Sequence, residues 1–82
     1  MVNVIFDDYF QKVISKIKDQ EMQKSIKNKI KKIIEDPENG KPMRNVRKGT
    51  REVYISPYRL AYSYNPSENK IIFLDIYHKD EQ

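Results

Sequence analysis

The stretch "PYRLAYSYN", Pro57 to Asn65, places an arginine among small neighbours in the middle of a short chain. Its aromatic-rich alternation, closed by an Asn-Pro turn signal, predicts a β-strand. Tyr58, Leu60, Tyr62 and Tyr64 then share one face, and Arg59, Ala61 and Ser63 the other. Arg59 is either an ordinary solvated charge or a cation held in a shallow basin for an anion to reach. A guanidinium suits the second role because its planar fork of donors matches an oxyanion. Two neighbouring stretches supply complementary groups. "REVYIS" (Arg51–Ser56) contributes Glu52 and Tyr54, and "KIIFLDIYHK" (Lys70–Lys79) contributes Asp75, Tyr77, His78 and Lys79. A carboxylate, a phenol or an imidazole can move protons, while arginine and lysine can steady charge developing on an anion. His78 is the chain's single histidine, and its type alone titrates near neutrality without perturbation. A lone histidine is as readily structural or merely exposed.

Strand pairing gathers these groups. A tight turn at Ser56-Pro57 sets Ile55 opposite Tyr58, Val53 opposite Leu60 and Tyr54 opposite Arg59. A five-residue "NPSEN" loop sets Tyr64 opposite Lys70, Tyr62 opposite Ile72 and Leu60 opposite Leu74. One face then collects Val53, Ile55, Tyr58, Leu60, Tyr62, Ile72, Leu74 and Ile76, the set to be covered. The other collects Glu52, Tyr54, Arg59, Ala61, Phe73, Asp75, Tyr77 and Lys79. Alternation turns His78 toward the covered side, unless a bulge or the strand's end near Tyr77 turns it back. Between Arg59 and Asp75 the pattern allows a solvated cross-strand pair worth ~0.2–1 kcal/mol, or an anion site whose arginine Asp75 holds.

The elements that must carry this sheet come first in the chain. "VNVIF" (Val2–Phe6) reads as a short first strand or an extended lead-in. Asp7 can cap a helix in which Phe6, Tyr9, Phe10, Val13, Ile14 and Ile17 follow helical spacing. Asp19 restarts a helix whose Met22, Ile26, Ile30, Ile33 and Ile34 form one stripe among lysines. "EDPENG" ends it, since Pro37 forbids continuation and Asn39-Gly40 tolerates the left-handed conformation. Both stripes are expected to be core. After Gly40 the period changes from helical to alternating: a short strand and a turn at Lys48-Gly49, then three strands with short connections, hence antiparallel. The expected fold is α+β, an N-terminal αα hairpin packed on one face of a small antiparallel sheet.

Composition narrows the rest. With 82 residues the chain is expected to form one domain, 1–82. The absence of cysteine excludes disulfides, a Cys-based zinc site and thiol chemistry, and one histidine excludes a His-rich metal site. The longest apolar runs, "VNVIF" and "IIFL", are too short to span a membrane and no signal-peptide pattern opens the chain, so a cytoplasmic location is expected. The net charge of +4 is unevenly spread. From Asn39 to Tyr64, Lys41, Arg44, Arg47, Lys48, Arg51 and Arg59 face a single acid, Glu52, whereas the lysines between Lys12 and Lys32 are offset by acids elsewhere. Such a basic segment either attracts phosphates or keeps a sheet surface soluble.

The succession of a helical hairpin, "EDPENGKPM", the "KG" turn, the "YRLAY" strand and the "IYHKDE" ending resembles the RelE/ParE toxin superfamily of toxin–antitoxin modules over essentially the whole chain. The resemblance implies a RelE-like fold and one of two activities. RelE-type members are ribosome-dependent, metal-independent endoribonucleases in which the 2′-hydroxyl of mRNA attacks its own adjacent phosphate. ParE-type members share the fold, lack the RNase residues and poison DNA gyrase. Both are silenced by a cognate antitoxin. On the RelE-like reading Arg59 matches the "YR" arginine that contacts the scissile phosphate, and Lys79 matches the second residue of a His-Arg pair. His78, Glu52 (as in HigB-type members) or Tyr77 would move protons. Arg44, Arg47, Lys48 and Arg51 would grip RNA backbone, with Tyr54 available to stack on a base. The expected partners are then the antitoxin, the ribosome and mRNA, with no cofactor. Three features depart from the RelE pattern, the first being that the C-terminal tyrosine that serves RelE-type members as a base has no obvious counterpart. Glu52 and Tyr54 stand where RelE-type members carry basic residues, and Met43 stands where YoeB-type members carry an acid. The alternative is a non-nucleolytic gyrase inhibitor or a toxin fold kept for binding.

Overall fold

The computed structural model describes residues 2–42 and 49–78. Strand β1 (Asn3–Phe6) leads into helix α1 (Asp8–Lys16) and helix α2 (Gln20–Glu35), followed by β2 (Lys41–Pro42), β3 (Thr50–Ile55), β4 (Tyr58–Asn65) and β5 (Lys70–His78). The helices start where an aspartate can satisfy free N–H groups. Asp7 Oδ2 accepts from Tyr9 N at 3.0 Å, and Asp19 Oδ1 accepts from Glu21 N at 2.9 Å. The five strands form one sheet in the order β1-β5-β4-β3-β2. Strands β2 to β5 pair antiparallel as expected, but β1 pairs parallel with β5, so the sheet is mixed. The helical hairpin carries the chain over one face from the β1 edge to the β2 edge, which lets the first and last strands run side by side.

The β3–β4 register is the expected one, with Ile55, Val53 and Tyr54 opposite Tyr58, Leu60 and Arg59. The β4–β5 register departs from expectation twice. Asn65 pairs with Lys70, so the connecting loop has four residues, with Asn69 at φ 52° in its tight end. This moves Ile71 and Phe73, rather than Ile72 and Leu74, under the helices. A bulge then follows: Tyr62 pairs with Phe73 but Ala61 pairs with Asp75, leaving Leu74 as the extra residue. The bulge restores the expected parity, setting Leu60 opposite Ile76 and Arg59 opposite Tyr77.

Phe73, placed on the open face by simple alternation, is therefore in the core. It is fully buried and stacks on Phe6 with centroids 5.2 Å apart. Phe10, Ile17, Ile26, Ile33, Leu60, Tyr62, Ile71 and Ile76 complete the buried set around it. Phe6 and Tyr9, expected in the core, are instead 40% and 57% exposed, because they stand where β1 and α1 leave the sheet edge and only one side is covered.

Tyr62 ties the core to the end of α2. Its hydroxyl donates to Pro37 O at 2.8 Å and accepts from Gly40 N at 2.9 Å. A Cβ on Gly40 would come within 2.5 Å of that hydroxyl, so the close approach requires glycine. Burial pushes the Tyr62 phenol above its ordinary pKa, against the lowering effects of the Gly40 N–H and the Arg51 charge. Arg51 closes the same corner, Nη1 donating to Glu38 O and Gly40 O at 2.9 Å each.

Candidate functional site

The sheet face away from the helices carries two rows of side chains. Lys41, Glu52, Ala61 and Asp75 lie side by side across β2, β3, β4 and β5, and Tyr54, Arg59 and Tyr77 form the next row. Alternation along β3 and β4 puts Glu52, Tyr54, Arg59 and Ala61 on this face. Asp75 and Tyr77 join them through the bulge. Had β5 continued the Tyr62–Phe73 register without it, Ile76 would point outward and Tyr77 into the core.

Glu52 is the centre of the arrangement. It is 8% exposed, a buried carboxylate among partners. The Tyr77 hydroxyl donates to Glu52 Oε2, and Arg59 Nη1 lies 3.7 Å from Oε1. Tyr77 is on β5 and Glu52 on β3, so their contact passes over β4. Ala61, fully buried directly beside Glu52, leaves the space for it. Phenol and guanidinium supply partners for a charge whose burial would otherwise be costly. Arg59 keeps 38% of its side chain exposed. The cation is thus open to solvent while the carboxylate beside it is recessed. Chemically, the cluster joins a proton acceptor, a proton donor and an anion ligand on a face that the helices leave uncovered.

The remaining sequence candidates are dispersed. Tyr54 is on this face, 50% exposed, with its hydroxyl 3.3 Å from Ser56 Oγ. His78 is opposite Tyr58 on the helix-side parity, its ring edge-on to the Tyr58 ring at 5.7 Å, and no register shift intervenes between Arg59–Tyr77 and Tyr58–His78. Arg51 is on the parity of Tyr62 and engages the backbone carbonyls of residues 38 and 40. Arg44, Arg47, Lys48 and Lys79 lie outside the described residues. Lys41 is a cation the motif reading passed over. Its two-residue strand is too short to show a period, and only its pairing with Glu52 places it on the open face. Among the described residues, no group of three or more histidines and carboxylates has the arrangement to hold a metal ion, and no helix is long and apolar enough to cross a membrane.

A helical hairpin on one face of such a sheet is the fold of solved RelE toxins. In the intact E. coli RelBE toxin–antitoxin complex a chain superposes with a TM-score of 0.78 at 17% identity, covering 93% of this chain and 94% of that one. The Mycobacterium tuberculosis RelBE2 toxin–antitoxin complex gives 0.79 at 22% identity, with 96% and 94% covered. Isolated E. coli RelE gives 0.79 at 16% identity, with 95% and 84% covered. These likenesses establish the fold. No curated protein matches the sequence. Residues 4–82 match the family described as the ParE toxin of the type II toxin–antitoxin system parDE. The chain belongs to this toxin family, within the RelE/ParE superfamily.

Proposed function

We propose that this toxin is a ribosome-dependent, metal-independent mRNA endoribonuclease. The observation that carries the reading is the convergence of Glu52, Arg59 and Tyr77 on the uncovered sheet face. Strand cleavage by an internal 2′-hydroxyl needs three services, and each residue supplies one. The Glu52 carboxylate takes the proton of the 2′-hydroxyl as its oxygen bonds to the adjacent phosphorus. Arg59 takes the charge that builds on the non-bridging oxygens. Tyr77 gives its proton to the departing 5′-oxygen as the P–O5′ bond breaks, leaving a 2′,3′-cyclic phosphate and a 5′-hydroxyl. The proton held by Glu52 then returns to the Tyr77 oxygen along their hydrogen bond, and the site is restored. Lys41 adds a second cation on the same face, and Lys79 follows β5 directly after His78. Arg44, Arg47 and Lys48 would hold RNA backbone.

The partners on this reading are the ribosome with its mRNA and a cognate antitoxin, as in the RelBE complexes, whose acids would meet the basic segment. The test is to add purified protein to a translating extract and map mRNA ends by primer extension, with Arg59→Ala alongside. Cuts at ribosome-occupied codons with wild type and none with the variant support the assignment. Intact mRNA with folded wild-type protein overturns it.

A second reading, inhibition of DNA gyrase, is favoured by the family match itself, which is to the ParE toxin. It predicts blocked supercoiling with RNA left intact.

A further inference from the structure

We propose that Tyr54 is the stacking platform for the base on the 5′ side of the cut, and that it gives the site a preference for purines there. The inference rests on the endoribonuclease reading and adds a substrate determinant to it. Among the described residues, Tyr54 is one of four large apolar or aromatic side chains left substantially exposed; the other three, Ile5, Phe6 and Tyr9, are at the β1–α1 corner. It is on the open face, directly opposite Arg59 in the β3–β4 ladder. Cβ atoms of such a pair are about 5 Å apart, within the span of a nucleotide between base and phosphate.

The ring is also held. Its hydroxyl bonds Ser56 Oγ at 3.3 Å, two residues on in the turn that follows β3, which ties the ring along the strand direction instead of letting it sweep solvent. Among the described residues no other ring packs on it. Arg59 Nη1 lies 3.7 Å from Glu52 Oε1. Glu52 and Tyr54 lie on the same strand and the same face, two residues apart. The nucleotide whose ribose presents its 2′-hydroxyl to Glu52 therefore carries its base toward Tyr54, and its 3′-phosphate toward Arg59. Base-on-aromatic stacking tolerates every base and favours the larger π-face.

The experiment measures toxin binding to ribosomes programmed with an mRNA in which one nucleotide is 2′-deoxy, so that it cannot be cut there, with adenine, uracil or an abasic residue at that position. Wild type should bind the adenine form about tenfold tighter than the abasic form, with uracil between. Tyr54→Ala should bind all three at the abasic level, and Tyr54→Phe and Tyr54→Trp should retain the discrimination. Equal binding of all three RNAs by wild type, no binding at all, or discrimination that survives in Tyr54→Ala each overturns the platform. Primer extension in the translating extract separates this from the parent reading. Cutting by Tyr54→Ala at unchanged sites and rates overturns the platform and leaves the endoribonuclease standing. Tyr54-dependent RNA binding without any cutting keeps the platform and overturns the endoribonuclease.

Discussion

The two faces of the sheet use the same strands for opposite purposes. On the helix side, Tyr62, Phe73, Leu60, Ile71 and Ile76 are sealed from water, and the buried Tyr62 hydroxyl closes a chain corner. On the other side, Glu52 is nearly as buried as the core, yet it is surrounded by ionisable partners and lies next to a half-exposed arginine. One face spends its burial on cohesion. The other recesses a carboxylate beside a cation that solvent reaches. Fold stability and chemistry should therefore be separable by substitution, and each face gives variants that test the separation.

The largest effect is expected at Glu52. Glu52→Gln keeps the shape and removes the proton acceptor, so mRNA cleavage should fall by about 10²–10⁴-fold while the thermal midpoint moves little. Single-turnover cleavage and a melting curve on the same preparation check both halves. A loss of activity matched by a loss of fold would mean that the open face is structural as well.

The helix side gives the converse. Phe73→Ala should cost about 3–5 kcal/mol, since a fully buried ring is deleted from a stack with Phe6 and Phe10. Chemical denaturation reads the cost. In a domain this small such a loss is a large part of total stability, so cleavage should be retained per folded molecule at low temperature and vanish on warming.

Phe73 also shows where the sequence was legible and where it was not. Helix starts at Asp7 and Asp19, the break after Glu35 and the Tyr54–Arg59 pairing follow from caps, proline and a tight turn, all local signals. The β4–β5 ladder does not. A four-residue loop in place of five shifts every partner by one, and the Leu74 bulge shifts the far half by one more, which changes its partners by two and returns its residues to their expected faces. Neither has a glycine or proline at the decisive position, and "KIIFLDIY" is apolar at so many consecutive positions that alternation reads equally well in either phase. The two departures cancel beyond Asp75, so Glu52, Arg59 and Tyr77 share a face as alternation predicts, while Phe73 does not belong with them. The role of Glu52 as the residue facing Arg59, where Asp75 was expected, was hidden for the same reason. Asp75 sits opposite Ala61 instead, and Glu52 meets Arg59 as its diagonal neighbour across β3 and β4. The Tyr77 contact with Glu52 is the part no pairing rule encodes, since it reaches across β4 above Ala61.

A smaller effect tests how the two faces are joined at their shared edge. Arg51 and Tyr62 both bond the chain between Pro37 and Gly40, just before β2 delivers Lys41 to the open face. Tyr62→Phe should cost about 1–3 kcal/mol, because Gly40 N–H and Pro37 C=O lose a buried partner. It also changes the pH dependence of stability. Burial raises the Tyr62 pKa in the folded state above the tyrosine's unfolded value of about 10. Below that value both states hold the proton and the contribution is complete. As pH rises past it, the unfolded chain releases the proton first, so the native state loses stability with increasing alkalinity. Urea midpoints measured between neutrality and strongly alkaline pH should therefore fall less steeply for Tyr62→Phe than for wild type. The other tyrosines and the lysines contribute to both curves alike, and the difference between them isolates this phenol. Parallel curves would mean that Tyr62 ionises as easily folded as unfolded, and that the corner holding β2 is open to water.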